Sequence, residues 1–199
     1  IFTKNATESL NIIAYCYGLE QLHADDEIII SIANHHANLI PWQYVAQKTG
    51  AVLRYVYLDE NGNFDMMGFK ALLGNRTKLV AVTAAVNTTG VIFPIEEIIA
   101  ETHKYGSVAV IDAAQSIAHF PHNVAAWDCD FLAFSGHKLY AEFGAGVLYA
   151  KRTLVEKMPP FLYGGSMIEY VSEQTSEFKT DGRKYEGGTL DTAAIHSLR

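Results

Sequence analysis

The chain has 199 residues, 49% of them hydrophobic and 19% charged, with a formal net charge of −7. That is enough apolar material for one sizeable core, and an acidic balance with no basic run argues against nucleic acid or an anionic membrane as the main partner. No apolar segment approaches the ~20 residues of a membrane span, none has the pattern of a signal peptide, and two cysteines make no disulfide framework, so a reducing cytoplasm is the expected setting.

In chain order, "KNATESLN" comes first: Asn5 with Glu8 three residues on has the form of a capping box, opening a helix to about Leu22. Exposed N–H groups at such a start suit a phosphate. "EIIISI" (27–32) is a β-branched, continuous apolar run and reads as a strand buried on both faces; "ANHHAN" follows it. A helix runs from about Leu39 to Lys48 and stops at Gly50, and "AVLRYVY" (51–57) is a second strand. After the "ENGN" turn another helix starts at Asp65. "LVAVTAA" (79–85) is a third strand and is followed by "VNTTG". A helix from about Ile95 to Tyr105 has Pro94 at its start and Gly106 at its end. "VAVID" (108–112) leads into "DAAQS", and the apolar residues 131–134 lead into "SGHK". "GAGVLYA" (144–150) is a further apolar run. The stretch from Gly164 to Thr189, rich in glycine and polar residues, reads as a long loop, loosely held or partly disordered.

Strands alternating with helices at this spacing predict an α/β fold in three α/β/α layers, with a mostly parallel sheet covered on both faces. In such sheets ligands bind beyond the carboxyl ends of the strands. Those ends supply an amine at Lys138, a carboxylate at Asp112, imidazoles at His35, His36 and His137, and amides at Asn87 and Gln115. Each has a plainer reading. Lys138 could lay its stem along the core with its charge in water, Asp112 could be a helix N-cap, and Asn87 a turn residue. The paired histidines, or "HFPHN" at 119–123, have a metal-like spacing, but no cysteine or acidic cluster supports a metal site. Cys16, in "IIAYCYGL", and Cys129, in "WDCDF", read as packing residues.

As an ordered set, "NHHANLIPWQ", "DAAQS", "DCDFLAFSGHKLY", "GVLYAK" and "GGSMI…YEGGTLDT" resemble the class V aminotransferase family, and within it the SufS-type cysteine desulfurases, also called selenocysteine lyases. The similarity runs from Thr3 to about Thr192. It implies the large domain of the fold-type I pyridoxal phosphate enzymes, with a seven-stranded, mostly parallel sheet, in a homodimer. It further implies that Lys138 holds the cofactor covalently; an amine at the edge of an apolar pocket is more readily uncharged and able to attack a carbonyl carbon. Asp112 would keep the pyridine nitrogen protonated, and Gln115 and Asn87 would face the ring oxygen. His35 would stack over the ring and assist proton transfer, with His36 pointing elsewhere. Ala6, Thr7, Ser135 and His137 match the phosphate positions, and Thr189 matches a residue donated by the partner subunit across the interface.

Three positions depart from the family. Ala6 stands where a threonine is usual, Asn34 stands where an acid is usual before the paired histidines, and "AEFGAG" replaces a Gly-Pro-Thr-Gly type turn, which puts Glu142 near the site. The function implied is release of sulfur from L-cysteine, or selenium from L-selenocysteine, leaving alanine and an enzyme-bound persulfide destined for iron–sulfur cluster assembly through an acceptor protein. The attacking cysteine and the arginine for the substrate carboxylate belong to the family's C-terminal region. The chain starts at Ile1, has its first methionine at Met66 and stops at Arg199 inside a helical run. It is therefore expected to be the cofactor-binding portion, 1–199, of a longer protein, with 164–189 as an interface loop and weak or no activity of its own. Another class V reaction (transamination, epimerisation or β-elimination), or a non-catalytic α/β binding module, are the alternatives.

Overall fold

In the computed structural model, which describes all 199 residues, the apolar runs become the inner strands of one sheet. The elements in order are β1 (Phe2–Thr3), α1 (Ala6–Ile13), α2 (Leu19–Gln21), β2 (Glu27–Ser31), α3 (Ile40–Thr49), β3 (Val52–Val56), α4 (Met66–Leu72), β4 (Thr77–Thr83), α5 (Ile95–His103) and β5 (Val108–Asp112). There follow α6 (Val124–Trp127), β6 (Phe131–Ser135), β7 (Gly146–Ala150), α7 (Arg152–Val155), the hairpin β8 (Ile168–Val171) and β9 (Ser176–Phe178), and α8 (Thr192–His196). The seven-stranded sheet has the order β1-β7-β6-β5-β4-β2-β3. The five strands from β6 across to β3 are parallel, while β7 and β1 close one edge antiparallel.

Period-two alternation sorts each inner strand onto two cores. Ile28, Ile30, Leu79, Ala81, Val110 and Phe131 pack under α1 and α3. Ile29, Val80, Val82, Ala109, Ile111 and Leu132 pack under α4 and α5. This is the expected three-layer, seven-stranded architecture. Cys16 lies in the first core and Cys129 in the second, both buried and free, so the sheet separates them. Their reading as packing residues holds.

The differences are local. The first helix reaches Gln21 but passes through a π-helical turn at Ala14–Gly18. The run 51–57 is an edge strand, not one buried on both faces: of β3 only Val56 is buried, because no further strand pairs beyond it. No helix follows "DAAQ"; residues 114–119 form turns. The segment 164–189 is not a structureless loop. It holds the β8–β9 hairpin and a 3₁₀ turn at Gly182–Tyr185, pinned by buried Met167 and by the Tyr185 hydroxyl, which donates to the Val155 (3.2 Å) and Met158 (3.1 Å) carbonyls. The hairpin strands have one intermediate residue each and otherwise face water, so no hydrophobic alternation betrays them.

Chain order reverses between β2 and β4: β3 lies outside β2, and the chain then crosses back to β4, β5 and β6. That switch leaves a crevice at the carboxyl ends.

Candidate active site

A cavity of about 190 Å³ opens there, walled by the N-terminus of α1 and by the residues that follow β2, β4, β5 and β6. Nine of the ten predicted site residues line it: Ala6, Thr7, His35, Asn87, Asp112, Gln115, Ser135, His137 and Lys138. Two glycines let the walls meet. A Cβ on Gly146 would sit 2.6 Å from the Asn5 Cα, and one on Gly136 would sit 2.8 Å from the Ala145 carbonyl oxygen. Without side chains there, the α1 cap can rest on β7 and the chain can turn sharply between Ser135 and His137.

At the α1 end the donors are divided. Asn5 Oδ1 accepts the Glu8 N–H at 3.0 Å, while the Glu8 carboxylate reaches back to the Lys4 N–H at 2.6 Å rather than to Asn5. The Ala6 N–H donates to Ser135 Oγ at 2.8 Å. The Ala6 amide is therefore occupied within the chain, and the first-turn N–H left for a ligand is that of Thr7. Ser135 keeps its own hydroxyl hydrogen, and the His137 ring stacks on Phe143, centroids 5.2 Å apart. Thr7 N–H, Ser135 O–H and His137 together form a donor cluster suited to an anion.

Opposite lies Asp112, 3% exposed at the end of β5. Its Oδ1 accepts the Ala114 N–H at 2.9 Å, a cap-like bond, but Oδ2 accepts nothing from the chain. Burial pushes this carboxyl above its ordinary range, against the opposing pull of the Ala114 N–H and of Lys138 and His35. Lys138, half-buried on the 3₁₀ turn after β6, has no hydrogen-bond or ion-pair partner in the chain. Such an idle acceptor, open to the cavity it shares with an unpaired amine, fits a ligand with a cationic N–H at one end and an electrophilic carbon at the other.

His35 Nδ1 accepts the Ala37 N–H at 3.1 Å, so in the neutral ring Nε2 carries the proton. His36 turns away and lines a neighbouring groove with Tyr15 and Tyr44. Asn87 sits in the 86–91 turn, as its plain reading has it, and also lines the cavity. Thr189 does not reach the cavity within this chain; it lines a separate pocket beside Phe2 and Glu8.

Two further residues matter here, Thr83, passed over by sequence reasoning, and Asn34, singled out only as a departure from the family. Thr83 ends β4 on the cavity wall, its hydroxyl bonded to the Ala85 carbonyl at 2.8 Å. A hydroxyl closing an apolar run, as Ser31 and Ser135 also do, was the available signal. Asn34 is buried beneath the histidines: its amide donates to the Asn38 (3.0 Å) and Ala81 (2.8 Å) carbonyls and accepts the Thr83 N–H (3.0 Å). A carboxylate could not donate to those two carbonyls, which gives the departure from an acid a physical reason.

The sequence pattern of the aminotransferase class-V family matches residues 1–199. The chain is 52% identical over 198 residues to a probable cysteine desulfurase of Treponema pallidum, covering 100% of this chain and 49% of the relative. It is 47% identical over 201 residues to a probable cysteine desulfurase of Synechocystis, covering 100% and 47%. Among solved structures, the cysteine desulfurase CsdA from Escherichia coli superposes with a TM-score of 0.97 at 40% identity, over 100% of this chain and 50% of that one. The chain thus spans about half the length of the curated relatives it matches.

Proposed function

The chain belongs to the class V aminotransferase family, and from that premise we propose that it is the pyridoxal phosphate-binding half of a cysteine desulfurase. The reading rests on one observation: a single cavity brings together the unpartnered Lys138 amine, the half-satisfied Asp112 carboxylate and a first-turn N–H with hydroxyl and imidazole donors. When bound, the cofactor would supply an electron-withdrawing ring that stabilises negative charge at the α-carbon of an amino acid.

The chain's own residues then have distinct tasks. Thr7, Ser135 and His137 would hold the phosphate, with Ala6 contributing by keeping Ser135 in place. Asp112 would accept the pyridine N–H through its idle oxygen and keep the proton there. Gln115 and Asn87 would serve the ring oxygen, and His35 would shield the ring from water. Lys138 Nζ would hold the cofactor and serve as the base for the substrate's α-proton. The substrate would be L-cysteine, giving alanine and a persulfide on an enzyme cysteine from which the sulfur passes to an acceptor protein, or L-selenocysteine, giving alanine and selenium, in a cytoplasmic homodimer where Thr189 serves the partner's site. No helix is long and apolar enough to cross a membrane. Neither cysteine suits the sulfur-accepting role: burial pushes both thiols up to about 12.

The test is direct. Full-length protein incubated with pyridoxal phosphate should turn yellow, and borohydride should fix the cofactor on the peptide that carries Lys138. Attachment at Lys151, or at no lysine, would overturn the assignment.

A further inference from the structure

One polar pair just outside the cavity has no part in the scheme above. Ser116, fully buried and next to Gln115, lies with its Oγ 2.7 Å from His122 Nε2. His122 Nδ1 is 2.8 Å from the Phe120 carbonyl oxygen. A carbonyl only accepts, so Nδ1 carries the ring proton, and the neutral ring takes the Ser116 hydroxyl hydrogen at Nε2. The imidazole is also clamped by rings: it stacks on Phe120 (4.9 Å, 8°) and meets the face or edge of Trp127 (5.0 Å, 60°). Trp127 is fixed in turn by its Nε1–H donating to Glu96 Oε1 at 3.0 Å on α5. Burial lowers the His122 pKa and so favours the neutral, accepting form.

The segment needs such a clamp. Residues 114–119 are successive turns with no regular helix to stiffen them, yet they present Ala114 and Gln115 to the cavity. We infer that His122 is a positioning residue: through Ser116 it fixes the turn that aims Gln115 into the cavity. The inference rests on the cofactor reading for its consequence, but the clamp itself is a property of this chain.

The experiment uses full-length protein and pyridoxal phosphate, with His122→Leu, His122→Gln and Ser116→Ala made in both the parent and a Gln115→Ala background. His122→Leu and Ser116→Ala should each weaken cofactor binding about fivefold to tenfold, and the two together by well under the product of the two, because they share the Ser116–His122 bond even though each also loses one of its own, to Phe120 and to Ala113. Gln at 122 can accept from Ser116 and donate to Phe120, so it should restore most of the affinity. In the Gln115→Ala background the same changes should matter less than about twofold. Amide exchange at 114–117, read without cofactor, should rise in His122→Leu and Ser116→Ala. Parent protein that binds normally, with variants unchanged in affinity and exchange, overturns the inference. So does a loss that persists in full without Gln115, which would mark a merely structural residue. If the parent itself fails to bind pyridoxal phosphate, the cofactor reading falls, and the exchange measurement decides the clamp alone: unchanged exchange refutes it.

Discussion

The two ends of the sheet treat polar groups in opposite ways. At the amino ends, every buried charge is matched. Glu27 accepts from Arg54 (3.1 Å) and Arg76 (3.2 Å). Asp130 takes the Ala109 N–H at 2.8 Å, His103 at 2.8 Å and Lys151 at 2.9 Å. At the carboxyl ends, Lys138 has no partner, Asp112 has one oxygen idle, and the Thr7 N–H is unclaimed. Buried polar groups left unmatched are destabilising, so a fold keeps them where a ligand completes them. The contrast separates side chains that hold the protein together from those that wait for chemistry.

The largest test of that contrast is Asp112→Asn. In the full-length enzyme, turnover should fall on the order of a thousandfold, about 4 kcal/mol in the barrier, with cofactor binding much less affected. Stability should move the other way. Because the folded-state pKa of Asp112 is raised, its contribution is present below the unfolded value of about 3.9 and is lost as pH rises through the folded pKa. Cofactor-free Asp112→Asn should therefore lack that loss of stability with rising pH in denaturant titrations. Near-normal turnover would reduce the carboxylate to a cap for Ala114.

At the other end, Asp130→Ala should do the reverse. It strands the buried Ala109 N–H and the His103 Nε2 and leaves Lys151 only its contact with Asp128 at 2.8 Å, which should lower unfolding free energy by about 3 kcal/mol. Cofactor binding at the far edge should stay within twofold or so of the parent when measured well below the melting transition. A comparable loss of cofactor affinity would show that the two ends are not independent.

Much of this asymmetry is legible in the sequence itself. The runs 27–32, 79–85, 108–112 and 131–134 announce strands because burial on both faces leaves no room for polar residues, and the residues after them announce the cavity. What stayed hidden depends on partners distant in sequence. β1 is a strand only because Phe2 and Thr3 pair with Val147 and Gly146. Ala6 was assigned to the phosphate by position, yet its N–H is bound to a hydroxyl 129 residues away. "HFPHN" looked like metal spacing, whereas both His122 nitrogens are already bonded to Ser116 and Phe120.

Asn34 connects the two kinds of region and gives an intermediate effect. Asn34→Asp removes both donors and sets a carboxylate against the Asn38 and Ala81 carbonyls, while the Thr83 N–H keeps its acceptor. A stability loss of about 2 kcal/mol is expected, together with weaker cofactor binding, since His35 is the next residue. Asn34→Asp with unchanged stability would mean that the amide's donors do not hold the histidine loop.

The smallest effect should come from Glu27→Gln. Glu27 itself is only 6% exposed, yet the arginine side chains are 44% and 64% exposed, so water already screens much of their attraction to it. Gln at this position retains one oxygen able to accept from Arg54 or Arg76 but loses the charge that serves both. The opposing consideration is desolvation: a neutral amide is easier to bury than a carboxylate, which offsets part of the lost attraction. The net loss should be about 1 kcal/mol in dilute buffer and should shrink as salt is raised, because the lost part is the long-range, screened component. Urea midpoints for parent and Glu27→Gln at low and high salt would measure it. A loss near 3 kcal/mol that ignores salt would mean that Glu27 is locked as tightly as Asp130, and that the amino edge is uniformly rigid from β2 to β6.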